Sequence, residues 1–270
     1  MYPLGKQFEV NYTKAKSDAK AIVQGANYRI SIISERVIRL EYSQAGQFVD
    51  RPTQLIRKRN IGLADFSVRQ DANIVEVTTK YLALNYIKGQ PFVGNKVDPM
   101  KNLKITLLSR DRDRNKDWYY GHPEARNMLG NLVGVDVNIP KNLQKGLYSL
   151  DGFATLDDSL SKIIMEDGTL AEPPKDHIDL YVFMYDRDFK QALFDYFKMT
   201  GPPALPPRYA LGNWWSRNIQ YDDKGIHDLI RNFERKKIPL AVMLFDNDWH
   251  IRNVGQLRDL KNGYTFNTAL

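Results

Sequence analysis

Asp246 and Asp248 close the run KKIPLAVMLFDND, and Trp214, Trp215 and Arg217 lie in the earlier string GNWWSR. Carboxylates two positions apart on an extended segment point to the same side. Two carboxyl groups can divide acid and base work across a scissile bond, whereas a single one offers two strong acceptors to vicinal hydroxyls. Asp246 and Asp248 are tempting as such a pair, but both would approach a bound molecule from one side, and Asp246 could instead serve as an acceptor in a binding site. A cap on the following loop, shared with Asn247, is the plainer alternative. Asp248 and Trp249 follow into the same region, and Trp214, Trp215 and Arg217 are candidates for an aromatic and cationic wall, although alternation would turn one tryptophan into the core.

Such residues need elements that hold them together. The proline-rich entry GPPALPP precedes a strand expected to end in the paired tryptophans. A helix is predicted from Asp222 to Lys237, with Ile226, Leu229, Ile230 and Phe233 on one stripe. Its aspartates lie at the start and its lysines at the end, in agreement with the helix dipole. Strand, helix and strand at this spacing make a right-handed crossover to a parallel neighbour. That is one turn of a β/α barrel, in which residues at the C-terminal ends of strands meet the bound molecule.

A complete barrel of this kind uses about 250 residues, yet the barrel-like text begins only near residue 205 of 270. The expectation is therefore a first domain followed by the incomplete start of a second, in a fragment of a longer protein. Cysteine is absent, which excludes disulfides and thiolate metal sites. With no signal-like apolar core near the N-terminus and no apolar run of membrane length, the chain reads as soluble and cytoplasmic. The net charge of +7 comes from 39 Lys and Arg against 32 Asp and Glu. Basic and acidic residues interleave, as in RDRDRNKD from Arg110 to Asp117, so neither nucleic acid nor a membrane is an expected partner.

From Phe8 to about Leu108 the text alternates like an antiparallel β domain. In the run Val37 to Tyr42, Ile38, Leu40 and Tyr42 share one face and Arg39 and Glu41 the other. Short strands between turn signals suggest a sandwich. DWYYGHPEARNMLGN reads as a loop over a sheet edge, with His122 structural. GLYSLDGFATLDDS reads as a hairpin about Asp151 and Gly152, and Asp157 and Asp158 as turn acceptors rather than a metal or catalytic pair. IDLYVFMY fits a strand buried on both faces. A helix beginning after Asp188 and ending before Gly201 leads into the prolines, and the domain boundary is expected in this helix-to-proline segment, near residues 186 to 205; drawn at 190, it gives domains 1–190 and 191–270, with the helix as a linker in the second.

GNWWSR and IPLAVMLFDND resemble the opening barrel strands of glycoside hydrolase family 31, the α-glucosidases and α-xylosidases. VIRLEYSQAGQFVDRPTQ (Val37 to Gln54) and the string around Asp157 are similar to segments that precede that barrel. The resemblance implies an all-β, galactose mutarotase-like sandwich followed by the truncated start of a (β/α)8 TIM barrel. It implies a retaining hydrolase of terminal α-linked glucosides or xylosides, needing no metal or organic cofactor. In that family the catalytic aspartates lie on later barrel strands, so the resemblance assigns no catalytic residue here and predicts this chain to be inactive alone. Asp246 matches the family's sugar-binding aspartate; Trp214, Trp215, Arg217, Asp248 and Trp249 fall around it. Gly121 and Glu124 are counterparts of a glycine and glutamate pair in a loop that leans over the barrel mouth. An α-linked oligosaccharide or glycoside is the implied partner, with self-association through unpaired strand edges. A transglycosylase of the same fold and a carbohydrate-binding sandwich module are the alternatives.

Overall fold

The computed structural model describes residues 9–93, 102–109, 116–130, 143–203, 205–245, 249–251 and 265–268. Its chain divides into two compact units, Met1–Pro203 and Ala204–Leu270. Among the described residues no helix is long and apolar enough to cross a membrane.

The first unit is built on two five-stranded antiparallel sheets. One has the order β1 (Ile22–Gln24), β2 (Tyr28–Ser34), β3 (Val37–Ser43), β12 (His177–Met184), β9 (Phe153–Asp157). The other runs β4 (Phe66–Gln70), β5 (Ile74–Thr79), β6 (Leu82–Ile87), β7 (Leu103–Leu107), β8 (Lys116–Tyr119). Alternation decides which residues meet between them. Ile30, Ile32, Ile38, Leu40, Val182 and Met184 from the first sheet share one buried cluster with Val75, Leu84, Tyr86, Ile105 and Trp118 from the second. A short hairpin, β10 (Ile163–Ile164) with β11 (Leu170–Ala171), lies apart from both sheets.

The first sheet is buried on its other face too, and that face is divided by chemistry. At one end Ile33, Val37, Phe183 and Tyr185 pack with Ala192 and Met199 of helix α1 (Phe189–Thr200). At the other end, on the face that Arg39 and Glu41 share, is an ion network. Arg29, Arg39, Glu41 and Asp179 are each at most 2% exposed. Register explains their arrangement, since Glu41 is directly opposite both Arg29 and Asp179. Two carboxylates facing each other across strands would repel. Arg39 resolves this by holding Asp179 at 2.8 and 2.6 Å while lying 3.0 Å from Glu41, and Arg29 grips Glu41 at 2.6 and 2.9 Å.

Three expectations are corrected here. First, the helix placed within 191–270 belongs to the first unit. Its Met199 carbonyl accepts from the Arg57 and Lys58 amides, and Asp195 accepts from Ser34 Oγ at 2.9 Å. The division falls at Pro203, inside the expected helix-to-proline segment of 186–205 and later than the boundary at 190 drawn within it. Asp188 and Gly201 do bound the helix: the Asp188 side chain accepts from the Gln191 amide, and Gly201 has φ +96°. Second, Gly146 to Ser159 is not a local hairpin. β9 pairs antiparallel with β12, while Ser149 bridges to Asn127. Gly152 turns between them because it has φ +81° and a Cβ there would meet Asp186 Cα at 2.7 Å.

Third, only Asp157 is a turn acceptor, taking the Ser159 amide at 3.0 Å. Asp158 is 2% exposed, accepts from Thr53 Oγ1 at 2.9 and 3.0 Å, and lies 3.5 Å from Arg59. Burial, reinforced by the charge of Asp179, pushes its carboxyl up to about 6 from the ordinary 3.8. Between those values the folded chain keeps a proton that the unfolded chain has lost, so raising the pH through this window removes stability. The melting temperature of Asp158→Asn relative to the parent chain should therefore climb from about pH 4 to about pH 6 and level off above. A difference that stays flat across that window would contradict the assignment.

The second unit contains β13 (Trp214–Arg217), α2 (Asp223–Arg235) and β14 (Val242–Phe245), with β13 and β14 parallel. Asp222 caps α2 by accepting from the Gly225 amide at 2.7 Å. Among its described residues no apolar side chain is fully buried; the stripe Ile226, Leu229, Ile230 and Phe233 is half-buried.

Candidate functional site

The parallel pair is aligned from its start. The Asn213 carbonyl accepts from the Ala241 and Val242 amides, and the Asn213 side chain donates to the Pro239 carbonyl at 2.9 Å. Gly212 permits this approach, because a Cβ there would lie 2.3 Å from the Ala241 Cβ. With Trp214 opposite Val242, the register brings Arg217 level with Phe245 at the C-terminal end.

That register corrects the expected position of the tryptophans. β13 begins at Trp214 and Trp215 instead of ending there, and Arg217 is its last residue. Trp215 faces the helix: its ring meets Phe233 edge-on at 5.3 Å and its indole N–H donates to Tyr221 Oη at 3.1 Å. It is the core member of the pair. Trp214, on the opposite face by alternation, is 46% exposed and donates to the Ala210 carbonyl at 3.1 Å. Arg217 is exposed at the strand end. Of the expected site residues that the structure describes, Trp214, Trp215 and Arg217 lie on one strand, with Arg217 at its C-terminal end.

Asp246 and Asp248 lie outside the described residues. Trp249 lies beyond them, half-buried, with its ring 4.6 Å from that of His250. The segment is tied back by an antiparallel bridge between His250 and Phe266, and the Asn267 amide donates to the Trp249 carbonyl at 2.9 Å. His250 was not singled out by pattern. It is 5% exposed with neither ring nitrogen hydrogen-bonded; a lone histidine between Trp and Ile carries no spacing signal that would have marked it.

In the first unit, Gly121 and Glu124 sit on the loop after β8. Glu124 is 3% exposed at φ +48°, and Asn127 Nδ2 approaches its carboxylate at 3.5 Å. The loop is fixed by Asn127, whose amide exchanges bonds of 2.9 Å with the Gly146 backbone. His122 is structural as expected: its ring packs edge-on against Tyr119 and Phe153, and its Nδ1 accepts from the Glu124 amide at 3.0 Å. Burial holds its pKa below the ordinary value.

One cluster has the composition of a metal site. Potential ligand atoms of Glu41, His177 and Asp179 all lie within 4.8 Å of one another. Both carboxylates are already neutralised by Arg29 and Arg39, so an added cation would meet two positive charges in a buried setting. Burial alone would raise the Glu41 pKa. The Arg39 charge, His177 at 3.8 Å and the bonds from Arg29 outweigh burial and hold it at about 2. The cluster is an ion network that joins strands.

Two antiparallel sheets followed by a parallel strand, helix and strand define a mostly β protein with a β/α segment. Residues 203–269 of that segment match the model of the glycosyl hydrolases family 31 TIM-barrel domain. Over 176 residues, 65% of this chain and 14% of the other, the sequence is 25% identical to an isomaltosyltransferase of Sporosarcina globispora. Over 69 residues, 26% of this chain and 9% of the other, it is 33% identical to an α-xylosidase of Saccharolobus solfataricus. Among solved structures, the Flavobacterium johnsoniae GH31 dextranase complexed with glucose superposes with a TM-score of 0.52 at 16% identity. That match covers 84% of this chain and 32% of the dextranase, and it bears on the fold alone. The chain spans less than a third of each of these proteins. The resemblance to glycoside hydrolase family 31 holds, and the relatives are glycosidases and a glycosyl transferase.

Proposed function

We propose that this chain supplies the mutarotase-like β-sandwich and the first turn of the (β/α)8 barrel of a retaining family 31 glycosidase acting on terminal α-linked glucosides or xylosides. The observation that carries the reading is the match of residues 203–269 to the family's barrel domain, in a segment whose parallel strands are joined by a helix. In this reading Asp246 accepts hydrogen bonds from the sugar, with Arg217, Trp214, Asp248 and Trp249 around it and Trp215 supporting β13 from the helix side. Transfer to a second sugar instead of water is the alternative, favoured by the long match to the isomaltosyltransferase.

The proposal expects no turnover of aryl α-glucosides or α-xylosides by these 270 residues, because in the reading both catalytic carboxylates belong to later barrel strands. Turnover by the purified chain that is abolished by Asp246→Asn or Asp248→Asn would overturn it and make those residues catalysts.

A further inference from the structure

The edge strands of the two five-stranded sheets are β1, β9, β4 and β8. β8 and β9 are tied to each other, because the Trp118 indole N–H donates to Thr155 Oγ1 at 2.9 Å, and β1 has only 3 residues. β4 is different. Over Phe66–Gln70 it is exposed at every position after the first, pairs with β5 without a bulge, and carries neither proline nor lysine, the usual guards of a sheet edge.

Phase assigns its open hydrogen-bonding groups. The Asp71 amide donates to the Ile74 carbonyl at 3.2 Å, which makes these two a hydrogen-bonded pair and, by alternation, also Arg69 with Glu76 and Ser67 with Thr78. Phe66, Val68 and Gln70 therefore turn their N–H and C=O groups away from β5. Such a row is a template for another strand.

The side chains select which strand. A second β4, antiparallel about a two-fold axis through Ser67, brings Phe66 opposite Val68 in hydrogen-bonded pairs and Asp65 opposite Arg69 in non-hydrogen-bonded pairs, where side chains come closest. Both kinds of pair are complementary. Phe66 packs against the core cluster and Val68, on the same face, is 38% exposed, so each covers the other's apolar edge. Asp65 is exposed, and the Arg69 side chain is 82% exposed with Glu76 a distant 3.7 Å away. Opposite charges facing across strands attract, and like charges repel. The neighbouring register, with the axis through Val68, is disfavoured by that rule because it sets Asp65 against Asp71.

We infer that the chain forms a two-fold dimer in which the two β4 edges join into one continuous sheet, with Asp65 and Arg69 as reciprocal ion pairs. About seven residues of each copy, Ala64 to Gln70, meet in the seam, which is small for a protein interface, so the dimer dissociates on dilution. None of these residues belongs to the proposed sugar site, and the dimer stands or falls independently of it.

Sedimentation velocity of the 270-residue chain from about 10 µM to about 0.5 mM should show a monomer–dimer equilibrium. Arg69→Asp and Asp65→Arg each set like charges against each other at both ends of the seam, and each should weaken association by about tenfold or more. The double exchange should restore it, and unchanged far-UV dichroism will certify the fold of each variant. In amide exchange followed by NMR, Phe66, Val68 and Gln70 should gain protection as concentration rises, whereas Ser67 and Arg69, already bonded to β5, should not change. A chain that stays monomeric, association indifferent to either reversal, or a double exchange that fails to restore it would overturn the inference. Protection gained at β13 or β14 instead of β4 would overturn it as well, by assigning self-association to the parallel strands.

Discussion

Arg39→Met should cost the first unit about 3–5 kcal/mol in urea unfolding, the usual consequence of leaving a buried charge without its partner. Arg39 is 1% exposed, and its guanidinium makes two bonds to Asp179 and one to the Val49 carbonyl at 3.0 Å. Burial works against its charge, but Asp179 and Glu41 more than offset this and raise its pKa well above the ordinary value. Methionine fills similar space and supplies no proton donor, so Asp179 would remain buried opposite Glu41 with like charge. Replacing both partners, Arg39→Met with Asp179→Leu, should recover much of the loss, since apolar substitutes for a whole buried pair are often neutral or better. A single-variant loss below about 1 kcal/mol, the scale of an exposed pair, would show that the network is solvated.

That network marks a limit of what the sequence discloses. Alternation in Val37 to Tyr42 correctly separates Ile38, Leu40 and Tyr42 from Arg39 and Glu41. Yet a charged face reads as solvent-facing, because period-2 patterning reports which residues share a side and not what covers that side. The cover comes from chain outside the strands, such as Val49, whose carbonyl accepts from both arginines. The same reasoning explains Gly146 to Ser159. An Asp-Gly step predicts a turn, which is present, but the partner of β9 is β12, more than twenty residues onward, and local chemistry cannot name a long-range partner.

Elements whose cause is local were legible. IDLYVFMY is a strand buried on both faces; Asp188 and Gly201 bound α1; and the stripe of α2 with its capping Asp222 lies between parallel strands. At the candidate site, two adjacent tryptophans gave no phase for the strand. The structure supplies it through the contact of Trp215 with Phe233 and starts the strand at Trp214. Ala192 and Met199, which tie α1 to the first unit, were visible only as an apolar stripe that either unit could have covered.

The second large effect is expected at Asp246. In the full-length glycosidase proposed above, Asp246→Ala should lower kcat/KM by roughly two to four powers of ten, at about 1.4 kcal/mol per tenfold step. The physical reason is that a charged acceptor lost from a polar pocket strands the hydroxyls it served. Bonds to ring hydroxyls also strengthen as the sugar distorts toward its transition state, so the loss should appear in kcat as well as in KM. Stability should change little by comparison with Arg39→Met.

A missing nucleophile can be replaced by a small anion, whereas a missing hydroxyl acceptor cannot, so azide separates the two roles that Asp246 could fill. The account predicts that azide leaves the Asp246→Ala enzyme as slow as before and yields no glycosyl azide. Restored turnover with a glycosyl azide of inverted configuration would make Asp246 the nucleophile and contradict the account.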